Sequence, residues 1–200
     1  MRIITGKFKG KVLFSPPKNI ALRPTSDKVK EAVFDTIRNA VKNSFFLDLF
    51  AGSGGVGLEA LSEGAKFVVF IDKNGAAIQT LKKNVYLLSA QNDVAIMKRD
   101  VLATLKNYQK IEEKITEKFN IIFLDPPFPS LLAGKVVEML SNFPLLKNDS
   151  IVIAEHSASE KLPQEIVGKN ILEKIKEKKY GKIAVTYYKV SVQESNTPEK

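Results

Sequence analysis

From residue 45 onward, short apolar runs alternate with longer segments of helical spacing. Phe45–Phe50, Phe67–Ile71, Val94–Met97, Asn120–Leu124 and Ile151–Ala154 are rich in β-branched and aromatic residues and predict five strands. Between them, Gly57–Glu63 and the segments 75–90, 101–118 and 131–142 predict helices. In the second of these, Ile78, Leu81, Val85 and Leu88 fall on one face, whereas 101–118 is the most highly charged. Ile171–Lys178 and Ile183–Val190 predict two last strands joined through Tyr180-Gly181. Strands alternating with helices imply an α/β fold, a mostly parallel sheet with helices on both faces.

The first 41 residues have a different pattern. Segments 3–5 and 11–14 surround Gly6 and Gly10 and predict a small N-terminal β-hairpin, ended by Pro16-Pro17. Ser26 or Asp27 can cap a following helix, in which Val29, Ala32, Val33, Thr36, Ile37, Ala40 and Val41 form one stripe. The expected organisation is a hairpin and lead-in over 1–25, an α/β domain over 26–190 and a polar tail over 191–200.

Charge sharpens this division. The net charge is +9, and residues 1–30 hold eight basic side chains against Asp27 alone, so they carry +7 of it. A basic segment on a more balanced body suits a polyanion such as RNA, with Arg2, Lys7, Lys9 and Lys11 as candidate phosphate contacts. There is no cysteine, which excludes disulfides, thiolate nucleophiles and cysteine zinc sites. No apolar run approaches the roughly 18 residues that cross a bilayer, and the first residues lack the apolar stretch of a secretory leader. A cytoplasmic protein with no membrane association is expected.

Two strand ends carry the chemistry. The first strand runs into Asp48-Leu49-Phe50-Ala51-Gly52-Ser53-Gly54-Gly55-Val56-Gly57, where Gly52, Gly54 and Gly57 have the spacing of a nucleotide-binding turn. Asp72, at the end of the second strand, stands where a carboxylate accepts both ribose hydroxyls. These residues alone admit NAD. Asp48, however, would repel a pyrophosphate and suits a cation. Asp100, after the third strand, can accept from an adenine amino group, cap a helix, or do both. Acids at three neighbouring strand ends suit S-adenosylmethionine, a cation without phosphate.

The second strand end is Asp125-Pro126-Pro127-Phe128, directly after Ile121-Ile122-Phe123-Leu124. An exocyclic amino group on a base is a poor nucleophile because its lone pair is delocalised into the ring. Accepting both N–H hydrogens favours a pyramidal nitrogen. Asp125 can do so with its carboxylate and Pro126 with a carbonyl whose direction the proline pair fixes. Phe128 can stack on the base, an interaction of order 1–3 kcal/mol. His156, the single histidine, has no metal-ligand cluster around it, so no metal is expected and its role is read as structural. Tyr180, Tyr187 and Tyr188 are read as packing residues of the last strands.

Taken together, Met1-Arg2-Ile3-Ile4 with Gly6, Leu22-Arg23-Pro24-Thr25, the run Asp48–Leu61 and Asp125–Phe128 resemble the bacterial 16S ribosomal RNA guanine-N2 methyltransferase family over about residues 1–190. The resemblance implies a seven-stranded class-I methyltransferase (Rossmann-like) sheet and S-adenosylmethionine as donor. It also implies N2 methylation of one guanine in 16S rRNA, within a small-subunit ribonucleoprotein. Carried over by position, Asp48, Ala51, Gly52, Ser53, Gly54, Gly57, Asp72 and Asp100 would hold the cofactor. Asp125, Pro126 and Phe128 would hold the guanine. Arg23, Thr25 and Pro127 would border the RNA side of the cleft. Three alternatives stand beside it: adenine-N6 methylation of DNA or RNA, a non-catalytic RNA-binding protein with a cofactor fold, and an NAD-dependent enzyme.

Overall fold

The computed structural model describes residues 1–15, 26–127 and 131–193. One eight-stranded sheet organises them. Its strands are β1 (Phe45–Leu49), β2 (Phe67–Asp72), β3 (Val94–Lys98), β4 (Phe119–Leu124), β5 (Leu146–Ser157), β6 (Glu165–Val167), β7 (Asn170–Tyr180) and β8 (Ile183–Val192). The order across the sheet is β3-β2-β1-β4-β5-β8-β7-β6. The strands β1 to β5 run parallel, and β8, β7 and β6 follow antiparallel. The expected seven strands are present, and the sheet has one more. β6 is three residues long with an exposed–intermediate–exposed pattern, too short to carry a period in the sequence.

The helices are α1 (Asp27–Val41), α2 (Gly55–Ser62), α3 (Gly75–Leu87), α4 (Val101–Lys106), α5 (Gln109–Glu112) and α6 (Leu132–Leu140). The single helix expected over 101–118 is instead α4 and α5, separated at Asn107 and Tyr108. Strands buried on both faces read as continuous apolar runs, and β1 is buried at all five positions. One core joins α1, α2 and α3 to Phe46, Val68, Phe70, Ile121, Phe123, Ile153, Val185 and Tyr187. The other joins α4, α5 and α6 to Leu47, Leu49, Val69, Ile71, Ile122, Leu124, Val152 and Tyr188. Tyr187 and Tyr188 are therefore packing residues, and the Tyr188 hydroxyl donates to Pro163 O at 2.8 Å.

The N-terminal segment is a hairpin shorter than the sequence suggests. It doubles back through a single antiparallel bridge, Arg2 with Val12, around a 3-10 turn at Gly6–Phe8. Ile3 N donates to Lys11 O at 3.0 Å, Gly10 N to Ile3 O at 2.9 Å and Leu13 N to Met1 O at 3.0 Å, so a short hairpin is present, but it stops there. Ile4 N and Thr5 N donate to the Glu59 carboxylate on α2, at 3.0 and 2.8 Å, instead of to a strand partner. Lys30 of α1 meets the same carboxylate at 2.9 Å and donates to Arg2 O at 2.7 Å. Lys30 and Glu59 are each only 1% exposed. Ser62, at the end of α2, accepts from Phe8 N and donates to Thr5 O. Asn84 of α3, fully buried, holds the other end of the segment through Phe14 N at 2.7 Å and Phe14 O at 3.1 Å.

This clip is an obligatory pair. A buried ion pair adds little over a well-packed apolar replacement, but removing one partner strands a buried charge and costs about 3–5 kcal/mol. Glu59→Ala is therefore expected to destabilise the fold by about that amount in denaturant titration. It should also abolish the slow hydrogen exchange of the Ile4 and Thr5 amides. Unchanged exchange at those amides would show that the clip does not hold the segment.

Candidate active site

The acidic residues singled out in the sequence converge on the C-terminal edge of the sheet, where open α/β sheets bind ligands. Asp48 is the penultimate residue of β1, Asp72 closes β2, Asp100 lies just after β3, and Asp125 directly follows β4. The arrangement depends on how β1 ends. Phe50 adopts a left-handed backbone, φ +61°, uncommon for a bulky residue and a form of strain that concentrates at functional sites. It is bracketed by two cross-strand bonds, Asp125 N to Leu49 O at 3.4 Å and Ala51 N to Ile71 O at 3.1 Å. The chain then turns away from the sheet, with Gly54 N donating to Ala51 O at 2.8 Å, and enters α2.

Two carboxylates hold this loop from beneath. Asp48 Oδ2 accepts from Gly57 N at 2.9 Å, and Asp72 Oδ2 accepts from Gly52 N at 2.8 Å. Asp72 Oδ1 accepts from Asn74 N at 2.7 Å, so both of its oxygens are oriented by backbone. A carboxylate oxygen has two lone pairs, and each retains one for a ligand hydroxyl. The loop also reaches α3, because Asn84 Nδ2 donates to Ser53 O at 3.0 Å.

Two glycines in the loop serve different ends. A Cβ at Gly57 would lie 2.3 Å from the Phe70 ring, so glycine there lets α2 pack on β2. A Cβ at Gly52 would meet nothing within 4 Å, and its φ is +55°. The backbone at Gly52 thus faces open space at the edge where a nucleoside would lie, with the Asp72 carboxylate bonded to its amide. This geometry fits a ribose and a close backbone approach. The Gly52, Gly54 and Gly57 amides are each bonded within the protein and so are committed to the loop's own shape.

Asp100 caps α4 through Ala103 N at 3.1 Å and lies 3.8 Å from Lys73 Nζ. The capping role is thus present, and the half-exposed carboxylate keeps acceptor capacity toward the edge. Pro126 is buried and Pro127 exposed. Arg23, Thr25 and Phe128 lie outside the described residues. Arg2, Lys7, Lys9 and Lys11 are exposed, but the loop bearing Lys7 and Lys9 lies by Ser62, at the end of α2 away from the glycine loop. The structure therefore does not bring those lysines to the acidic edge.

His156 is buried beside the same edge. Its Nδ1–H donates to Ser157 O at 2.9 Å, and Nε2 lies 2.8 Å from Thr186 Oγ1. Burial lowers its pKa, which favours the neutral ring, and the same threonine hydroxyl lies 3.3 Å from Glu177 Oε2, so the histidine belongs to a structural network. Among the described residues no group of three or more His, Cys, Asp and Glu side chains is arranged to hold a metal ion. No described helix is long and apolar enough to cross a membrane. Phe50, Lys30, Glu59 and Asn84 escaped the sequence reading. For the charged pair a signal existed: Lys30 shares the apolar stripe of Phe34, Ile37 and Val41, and Glu59 sits between Leu58 and Ala60.

Asp48 provides a test of this geometry. Burial, partly offset by the Gly57 amide and reinforced by the Asp72 charge, raises its pKa to about 7. The folded state holds that proton more tightly than the unfolded chain. Its contribution to stability is therefore full below pH ~4 and is lost as the pH rises to ~7. Wild-type protein should lose on the order of 3 kcal/mol relative to Asp48→Asn over that range, read from denaturant titrations at each pH. Parallel pH profiles for the two proteins would refute the buried titrating carboxyl.

The same architecture occurs in known proteins. The chain matches the family model described as Conserved hypothetical protein 95 over residues 1–189. It is 37% identical over 170 residues to ribosomal RNA small subunit methyltransferase D of Buchnera aphidicola, covering 84% of this chain and 82% of that protein. It is 35% identical over 189 residues to the Bacillus subtilis protein YlbH, named as an rRNA methyltransferase, covering 94% and 98%. The solved structure of Escherichia coli yhhF, named as a methyltransferase, superposes with a TM-score of 0.78 at 28% identity, covering 96% of this chain and 99% of that one. The fold is thus that of the class-I methyltransferases, with an eight-stranded sheet. By family model and by relatives alike, the chain belongs to the Conserved hypothetical protein 95 family, alongside proteins named ribosomal RNA small subunit methyltransferase D.

Proposed function

We propose that this protein transfers a methyl group from S-adenosylmethionine to the N2 amino group of a guanine in small-subunit 16S rRNA, recognised within a ribonucleoprotein. Relatives named for small-subunit rRNA methylation support the substrate class. The observation that carries the chemistry is strand adjacency. Leu49 pairs with Leu124, so the glycine loop and Asp125-Pro126-Pro127 leave neighbouring strands at one edge, about 5 Å apart. A donor held by the first and a base held by the second would meet there.

Asp72 would accept the ribose hydroxyls, Asp100 the adenine amino group, and the Ala51–Gly54 backbone would line the methionine portion. Asp48, beneath the loop, adds negative charge under a cation. The bound cofactor supplies an electrophilic methyl on a sulfonium. The protein's part is then positioning and electrostatics. The Asp125 carboxylate and the Pro126 carbonyl accept the two amino hydrogens and turn the nitrogen lone pair toward the donor. Phe128 stacks on a base flipped from its helix. Arg2, Lys7, Lys9, Lys11, Arg23, Thr25 and Pro127 contact the RNA, the basic residues through phosphates that give affinity with little sequence information.

The decisive assay is methyl transfer from labelled S-adenosylmethionine to small ribosomal subunits from cells lacking this protein, followed by nucleoside analysis of the rRNA. Label in N2-methylguanosine is expected, and label in N6-methyladenosine would overturn the target. Asp125→Ala should lower turnover by about a hundredfold or more while cofactor affinity stays within a few-fold. A parallel loss of cofactor affinity would contradict its role at the base.

A further inference from the structure

The β7–β8 hairpin tip reaches the same edge as the acidic site. Ser157 at the end of β5 pairs with Ile183, and Ile183 pairs with Tyr180 across the turn Gly181-Lys182. Lys182 O accepts from Ala158 N at 3.0 Å, which fixes the tip beside the loop that follows β5. The hairpin carries Lys176, Lys178, Lys179 and Lys182 with Glu177 among them, and Glu160 of the loop after β5 is committed to Gly134 N at 3.0 Å. Glu177 is committed to Lys174 at 3.4 Å and reaches Lys179 at 4.0 Å. Lys176 lies 5.8 Å over the Tyr187 ring and 3.5 Å from Thr36 Oγ1. Lys178 and Lys182 are exposed and have no ion-pair partner among the described residues.

The opposite edge contrasts with this. There Lys66 and Lys147 share Glu117, at 3.5 and 2.7 Å, and Lys189 meets Asp149 at 2.9 Å. Three lysines where the parallel strands begin are thus neutralised, whereas Lys178 and Lys182 at the hairpin tip have no carboxylate within ion-pair distance among the described residues. The N-terminal lysines Lys7 and Lys9, by contrast, sit beyond the far end of α2.

We infer that Lys178 and Lys182, on the β7–β8 hairpin tip, form a second phosphate-binding surface that seats the substrate RNA beside the catalytic edge. This rests on the rRNA reading above. Lysines on an open strand also prevent edge-to-edge pairing, and among the described residues β7 has no strand partner on that side beyond Glu173, where Lys174 N donates to Gln164 O at 2.8 Å. Charge reversal separates the two roles, because glutamate protects an edge equally well but repels phosphate.

The test compares wild type, Lys178→Glu/Lys182→Glu, and Lys42→Glu/Lys118→Glu. The last makes the same charge change at the opposite edge. All act on small ribosomal subunits lacking the modification, over a series of salt concentrations. The hairpin variant should raise KM for subunits about tenfold and reduce the salt slope by about 1 to 2, with kcat and cofactor affinity little changed. Lys178→Gln/Lys182→Gln should shift both quantities the same way by less, which excludes misfolding as the cause. An unchanged KM and slope, or an equal effect in the opposite-edge variant, would overturn the inference. Failure of the rRNA reading shows separately, as wild type transferring no methyl group to subunits while still binding cofactor, and that result removes both.

Discussion

Everything at the candidate site depends on two carboxylates that grip one loop from below. Asp48 holds the start of α2 through Gly57 N, and Asp72 holds the turn through Gly52 N. Just ahead of these anchored glycines the backbone passes through a left-handed phenylalanine, Phe50. That conformation persists only where surrounding bonds over-determine it, here the cross-strand bonds at Leu49 and Ala51. The result is a loop whose shape is set before a ligand arrives, so little ordering cost falls on binding.

The same logic extends outward from the loop. Asn84 bonds Ser53 within it and Phe14 outside it, so one buried amide joins the cofactor side of the edge to the N-terminal segment. Glu59 and Lys30 hold the rest of that segment against α1 and α2. These are polar groups in a low-dielectric interior, where satisfied networks specify one arrangement and broken ones are costly. The charge pattern of the sheet has a direction as well. Lys66, Lys147 and Lys189 are paired at one edge, while Lys178 and Lys182 at the other have no ion-pair partner among the described residues and lie at the edge that bears the acids.

The parts legible in the sequence are those whose cause is local. Strands β1, β2 and β4 announce themselves as apolar runs because both of their faces are buried in the parallel sheet. Asp48, Asp72 and Asp125 stand out because each lies in or directly after an apolar run, whereas Asp100 follows Lys98-Arg99. Eight strands instead of seven follows from β6, whose three residues pair with β7 without any period of their own. The N-terminal segment reads as a hairpin and pairs as a short one, yet the amides of Ile4 and Thr5 answer to Glu59, 55 and 54 residues away. No local pattern encodes such a partner. The charged pair left only an indirect trace, a lysine and a glutamate each set in an apolar stripe. Phe50 left none, because a left-handed backbone is usually signalled by glycine or asparagine, and here strand pairing imposes it on phenylalanine.

The most direct measurement is a crystal structure of the protein with S-adenosylhomocysteine. The nucleoside should lie against Gly52 with its ribose hydroxyls on Asp72, and its sulfur should face Asp125 across the β1–β4 junction. A ligand bound away from that edge, or one that leaves the Asp72 carboxylate untouched, would contradict the account.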